Sequence, residues 1–209
     1  SSSGNVVDHV PSISVGIGWD FSSQPADLDV TAVFFHQEGR DLGAVDYENR
    51  AEYGVQHSGD NVDGQGEGDD EIILVDLPLI PLHVSQIFFL VTIYTKGVCF
   101  CDVENAHCRV VDLANEHELA MHELRDLSEE HQREATGLVI AQLLRHPKKG
   151  WCFRQRHEFC GGRTWLDPMC MKAMKHLFKQ TEQELNPTHL TIQPPDTPRG
   201  VQLRRGGTW

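Results

Sequence analysis

Hydrophobic and polar positions alternate strictly in SISVGIGWD, where Ile13, Val15, Ile17 and Trp19 share one side and small or polar residues take the other. A period of two is that of a half-buried strand. DLDVTAVFFH is a second β-rich run, closed by a turn at QEGR, and EIILVDL is a third. QIFFLVTIY is apolar almost throughout, as expected of a central strand buried on both faces. HCRVVDL reads as a further short strand. ATGLVIAQLLRH carries two patterns, since Ala135, Leu138, Val139, Gln142 and Leu143 would also line a helix. The turn residues PKKG and the return segment WCFRQRHEF favour a hairpin and therefore a strand, whereas LSEEHQRE upstream reads as helix or loop. Short strands at regular intervals with Gly-rich turns predict an all-β fold, a β-sandwich of two antiparallel sheets over about residues 4–162.

The period changes beyond Gly162. Asp167 can cap a helix that begins at Pro168, and Cys170, Ala173, Met174, Leu177 and Phe178 then recur at helical spacing. Lys172, Lys175, His176 and Lys179 decorate the other faces, and Asn186-Pro187 stops the element. Residues 163–209 thus form a C-terminal extension, a basic amphipathic helix over about 168–186 followed by a flexible Pro/Gly/Arg tail. Three readings of the helix stand side by side. Its apolar face packs on the sandwich, or docks on a protein partner, or makes a peripheral contact with anionic lipid.

Charge sharpens this division. Residues 1–144 hold six Lys/Arg against 26 Asp/Glu, a balance of −20, while residues 145–209 hold 12 against five, a balance of +7. Between Arg50 and Lys96 there is no basic side chain and there are eight acidic ones. Phosphate contacts need basic groups, so nucleic-acid binding by this body is not expected. The first residues, SSSGNVVDHV, offer neither a basic leader nor an apolar stretch, and no run is long enough to span a membrane. The six cysteines contain no CxxC pair. A cytoplasmic protein with free thiols is the expectation.

The charge is densest in HSGDNVDGQGEGDDEI, His57 to Ile72, with six carboxylates (Asp60, Asp63, Glu67, Asp69, Asp70 and Glu71) among four glycines. Two unit charges at 4 Å repel by about 1 kcal/mol even in water. A compact loop of this kind therefore calls for a cation, although a solvated acidic turn has the same composition. Calcium takes about six to eight oxygens from carboxylates, amides and backbone carbonyls. Gly64, Gly66 and Gly68 can take positive φ and aim carbonyls inward, and Asn61 adds a neutral oxygen. Soft ligands are absent, which disfavours zinc or copper here. If the strand begins at Asp69, then Asp69 and Glu71 point one way and Asp70 the other, which would make two clusters and hence two ions. Asp27 and Asp29 share a strand face in ADLDV, with Asp20 just before them, and supply a second wall. An EF-hand is excluded, because Val62, Gly64 and Gln65 stand where that loop needs ligands and its glycine.

GIGWD, then ADLDV, then HSGDN-x-x-G-x-G-x-GDDE running into a valine-rich strand, resembles the TerD-domain family of tellurium-resistance and stress proteins. VTIY, VENAHCRVVDL, HELA, ATGLVIAQLLRH and GWCFR follow in the order of that family, so the likeness covers roughly residues 4–162. It implies a calcium-binding β-sandwich holding two ions, without known catalysis, in resistance to toxic oxyanions, phage or other stress. The family's calcium ligands carry over to Asp27, Asp29, Asp60, Asn61, Asp69, Asp70 and Glu71, with Glu67 and the carbonyls around Gly64 and Gly66 as weaker candidates. Asp63 departs from the pattern, as does the short, cysteine-bearing connection TKGVCFCDVENAHC. The helix and tail lie outside the resemblance.

Two other chemistries could use the cysteines and the acids. Cys99, Cys101, His107 and Cys108 match no common structural-zinc spacing. A divalent-metal-dependent hydrolase would use the same acids, but no P-loop, nucleophile elbow or HExxH motif accompanies them. The expectation is calcium-dependent recognition or assembly with protein partners, not catalysis.

Overall fold

The computed structural model describes residues 5–6, 11–21, 26–60, 68–123 and 134–185. Among these residues there are twelve strands: β1 (Asn5–Val6), β2 (Ser12–Phe21), β3 (Leu28–His36), β4 (Asp41–Val45), β5 (Ala51–Glu52), β6 (Val55–His57), β7 (Glu71–Asp76), β8 (Val84–Ile93), β9 (Val103–Asp112), β10 (His117–Glu123), β11 (Gly137–His146) and β12 (Gly150–Cys160). Helix α1 (Pro168–Leu185) follows them. The strands form two six-stranded sheets, ordered β1-β12-β11-β8-β3-β4 and β10-β9-β2-β7-β6-β5, and the neighbouring strands pair antiparallel. The expected β-sandwich is the observed fold.

Alternation builds the space between the sheets. Ile13, Val15, Ile17 and Trp19 of β2 face Leu28, Val30, Ala32 and Phe34 of β3 across one core. β8 supplies Ile87, Phe89, Val91 and Ile93 to that core, while Phe88 and Leu90 point out of the opposite face. That outer face would be wet in a simple sandwich. Here α1 covers it, setting Cys170, Ala173, Met174, Leu177 and Phe178 on Val33, Phe35, Phe88, Leu90 and Val139. The continuous apolar run of β8 thus has a cause, because one side meets the second sheet and the other meets the helix.

Asp167 accepts the Met169 N–H at 3.3 Å and its carbonyl takes the Met171 N–H at 3.0 Å, the capping expected before Pro168. The last turns of α1 are tied to the sheet by a buried polar cluster. Gln142 donates to Gln86 and to Thr181 (3.2 Å), Arg156 donates to Gln142 (2.9 Å), and Gln86 donates to Glu182 (2.9 Å). Of the three readings of the helix, packing on the sandwich is the arrangement found. The stripe that partner docking or lipid contact would need is the stripe buried here, and Lys172, Lys175, His176 and Lys179 face outward. Phe178 stacks on Phe35 with centroids 5.8 Å apart. Phe178→Ala is expected to cost about 3 kcal/mol, seen as a lower urea midpoint together with earlier loss of helical circular dichroism.

The ATGLVIAQLLRH segment resolves as strand β11, in a hairpin with β12 closed at His146–Gly150. Its helix-like spacing has a physical reason. A register shift between Val139 and Ala141 puts an extra residue into the alternation. β9 begins four residues before the run HCRVVDL, and β4, β5, β6 and β10 had no sequence signal of their own. LSEEHQRE lies outside the described residues apart from Glu134, as does the tail from Asn186 onward. No helix among the described residues is long and apolar enough to cross a membrane.

Candidate functional site

The acidic residues gather where the two sheets meet at one end of the sandwich. β3 carries Asp29 and is preceded by Asp27, whose N–H donates to Thr95 Oγ1 at 3.0 Å and whose carbonyl takes the Tyr94 N–H at 2.8 Å. The second sheet contributes Asp60, three residues past β6, and Glu71, the first residue of β7. Side-chain oxygens of Asp27, Asp29 and Asp60 lie within 4.8 Å of one another. One oxygen, Oδ1 of Asp27, is buried without a hydrogen-bond partner. A buried carboxylate oxygen normally has a donor, so this atom is suited to a cation.

Glu71 stands behind that group. The β3–β4 ladder ends at the Ala32–Val45 pair, which leaves the Val30 N–H without a strand partner on that side. Glu71 Oε2 accepts it at 2.9 Å, and the side chain is 0% exposed. His57 Nε2 lies 3.4 Å from the same oxygen. His57 Nδ1 accepts the Gly59 N–H at 3.0 Å, so the neutral ring carries its proton on Nε2 and presents it toward Glu71. At 3.4 Å this contact is an electrostatic one rather than a well-formed hydrogen bond, consistent with His57 Nε2 having no bonded partner.

Burial, then Asp60 and Glu71, raise the Asp27 carboxyl to about 6. Burial, then Glu71, Asp27, Asp60 and Asp46, raise Asp29 to about 8. Without a cation, Asp29 therefore holds a proton at neutral pH.

Asp69 and Asp70 go elsewhere, which corrects the expected division. β7 starts at Glu71, and Gly68 at φ +103° turns the chain just before it, so strand alternation does not extend back to Asp69. Asp69 lies over Gly16 on the outer face of the second sheet, where a Cβ on that glycine would fall 2.2 Å from Asp69 Oδ2. Arg109 Nε donates to both Asp69 oxygens at 2.8 and 2.9 Å, and His107 Nε2 is 3.6 Å away. Asp70 Oδ2 accepts the Trp19 N–H at 2.9 Å, and Asn105 donates to Asp20 at 2.9 Å. Trp19, Asp20, Gly68, Asp70, Asn105, His107, Met121 and Glu123 line a cavity of about 360 Å³ beside them. The described acids thus form two groups, Asp27, Asp29, Asp60 and Glu71 in one and Asp20, Asp69 and Asp70 in the other. Asn61, Asp63, Gly64, Gly66 and Glu67 fall outside the described residues.

The partnership of Arg109 and His107 with Asp69 had no sequence signal. Nothing in HCRVVDL marks a partner for Asp69 forty residues away. The weighed zinc set does not assemble either. Cys108 points into the core, His107 sits on the outer face with Asp69, and Cys99 and Cys101 cluster with Asp102 instead.

Comparison with known proteins gives this geometry a family. The TerD domain matches residues 5–165. The chain belongs to the TerD-domain family. The tellurium resistance protein TerZ of Serratia marcescens is 35% identical over 168 residues, covering 74% of this chain and 82% of TerZ. General stress protein 16U of Bacillus subtilis (strain 168) is 34% identical over 146 residues, covering 64% of this chain and 74% of its own. Among solved structures, a homologue of the telluride resistance protein TerD from Streptomyces coelicolor A3(2) superposes with a TM-score of 0.64 at 22% identity, covering 75% of this chain and 94% of that one. That likeness is one of fold, and the TerD-domain match ends three residues before α1 begins.

Proposed function

We propose that this TerD-domain protein binds calcium through the acidic end of its sandwich and acts in tellurite or general stress resistance. It does so by calcium-dependent recognition or assembly in the cytoplasm, without catalysis. The observation that carries the reading is the close Asp27–Asp29–Asp60 group, whose member Asp27 keeps Oδ1 buried without a hydrogen-bond partner. The donors are all oxygens, the chemistry of a hard cation. The relatives named for tellurium resistance and for general stress support the biological setting.

Asp27, Asp29 and Asp60 would hold the ion, with Glu71 adding negative charge from behind. Bound there, calcium would supply charge neutralisation and a link between elements. Asp29 lies on the first sheet with Asp27 just ahead of its strand, and Glu71 lies on the second sheet with Asp60 in the loop that follows β6. Drawing these groups together changes the surface at that end, which is how occupancy would be read by a partner. Asp20, Asp69 and Asp70 are the candidates for the second ion, with Asp69 already neutralised in part by Arg109.

Calorimetric titration of the metal-free chain with calcium, using magnesium as competitor, tests this reading. Saturable binding is expected, with proton release at pH 7, because Asp29 must give up its proton to the ion. The released proton appears as a dependence of the heat on buffer ionisation enthalpy. Absence of saturable calcium binding would overturn the reading, and hydrolysis that required exchangeable magnesium would favour an enzyme on the same acids.

A further inference from the structure

The connection between β8 and β9 brings two thiols to the surface by the same alternation that anchors it. Val98 and Phe100 are 1% and 2% exposed and pack into the core. Arg163 holds this stretch from beneath, donating to the carbonyls of Ile93 (2.8 Å), Thr95 and Val98 (3.3 Å). The Phe100 N–H bonds to the Ala135 carbonyl at 3.1 Å. With Val98 and Phe100 turned inward, Cys99 is left half-buried and Cys101 exposed. Their sulfurs are 2.7 Å apart. Asp102 Oδ2 accepts from the Cys99 N–H at 3.0 Å and faces the Cys99 thiol at 3.3 Å. A donor atom from each of the three residues lies within 4.8 Å of the other two.

We propose that Cys99, Cys101 and Asp102 form a binding site for a soft divalent cation of the zinc class, distinct from the oxygen-only acidic end of the sandwich. Thiolate sulfur prefers such ions and disfavours calcium, so the two sites select different metals. Binding replaces two thiol protons, which pass to solvent, with two metal–sulfur bonds, and the carboxylate is the third ligand. Three protein ligands leave one tetrahedral position open, the arrangement of an exchangeable rather than a closed structural ion. Metal–sulfur bonds of about 2.3 Å at the tetrahedral angle set the sulfurs about 3.7 Å apart, so the pair opens by about 1 Å. Rotation of the exposed Cys101 side chain supplies that opening without moving the anchored backbone. Burial, together with hydrogen bonds to Cys101 and Asp102, raises the Cys99 thiol to about 12, so without an ion Cys99 rests as a thiol rather than as a reactive thiolate.

A second thiol pair makes the test specific. Cys160 and Cys170 sulfurs lie 3.6 Å apart where α1 meets β12. The full chain, stripped of metal and kept reduced with a phosphine, is titrated with cadmium while the ultraviolet sulfur-to-metal charge-transfer band is followed. One cadmium per chain is expected, displaced by zinc and indifferent to excess calcium. Cys99→Ser with Cys101→Ser should remove the band, and Cys160→Ser with Cys170→Ser should keep it. Cys101→Ser alone, at an exposed position that leaves folding intact, should also remove it. Asp102→Asn should weaken binding by about tenfold or more. A band that survives in the Cys99/Cys101 variants, is lost only with Cys160 and Cys170, or yields to calcium would overturn the assignment. These outcomes are independent of whether the acidic end binds calcium, because the readout is sulfur coordination alone.

Discussion

Asp29→Asn is expected to weaken calcium binding by about a hundredfold and, in the same protein, to stabilise the calcium-free state. Both effects come from one charge. Burial first, and then the acidic neighbours Glu71, Asp27, Asp60 and Asp46, raise the Asp29 carboxyl, so its ionised form is favourable only when a cation is present. The pH dependence follows in sign. Its carboxyl titrates near 8 in the fold against an ordinary 3.8, so the folded chain holds this proton more tightly than the unfolded chain does. Its contribution to stability is therefore complete below about pH 4 and is lost as pH rises toward about 8. Melting temperatures of wild type in chelator should show that loss, while Asp29→Asn should lack this part of it. Calcium should remove it from wild type, because the bound ion stabilises the ionised group. Wild-type calcium affinity in Asp29→Asn would sink both the ligand assignment and the account of its titration.

Glu71→Ala is expected to destabilise the fold by about 3 kcal/mol, independently of calcium. The side chain is fully enclosed, accepts the Val30 N–H where β3 outruns β4, and faces the Nε2 proton of His57. Truncation would strand the Val30 N–H and remove the oxygen that the His57 Nε2 proton faces. Glu71→Gln retains an oxygen for Val30 and should cost less, which separates the hydrogen bond from the charge. Urea unfolding in excess chelator is the measurement. An alanine variant with an unchanged midpoint would mean that the junction between the sheets does not depend on this carboxylate.

How much of this was legible in the sequence depended on the range of the physics involved. β2 and β8 were readable because each signal is local, strict alternation in one and unbroken apolarity in the other. β10 was not, since His117–Glu123 sets Leu119, Ala120 and Met121 side by side with a register shift among them, so no clean alternation shows, and it is held by pairing with β9. Asp27 and Asp29 could be joined to the acidic loop because their spacing fixed a shared face. Asp69 parts from Glu71 because Gly68, at positive φ, sets where alternation begins, and a glycine that can take that φ does not announce in the sequence that the strand starts after it. Arg109, Thr95 and the Gln86–Gln142 pair were invisible for a simpler reason. Each matters through a partner between roughly forty and seventy residues distant, and a single sequence does not encode that pairing locally. The thiols of Cys99 and Cys101 were visible, but Asp102 as their neighbour depended on the short turn that folds it back.

The order of strands has a further consequence, for what happens when many copies of the chain meet. A sheet is open to accretion only along its outermost strands. Here β1 and β5 are two residues each, and β4 is five residues long and begins at Asp41, held 3.7 Å from Lys175 of the helix. The remaining border, β10, reads HELAMHE and carries an irregularity between Glu118 and Ala120. Among the described residues, brevity, charge and a break in register thus mark the four margins. The long apolar strands that would template fibrils, β3, β8 and β11, are each flanked by a neighbour on both sides. A strongly acidic protein of this build is expected to keep its β-sheets closed to one another even at high concentration.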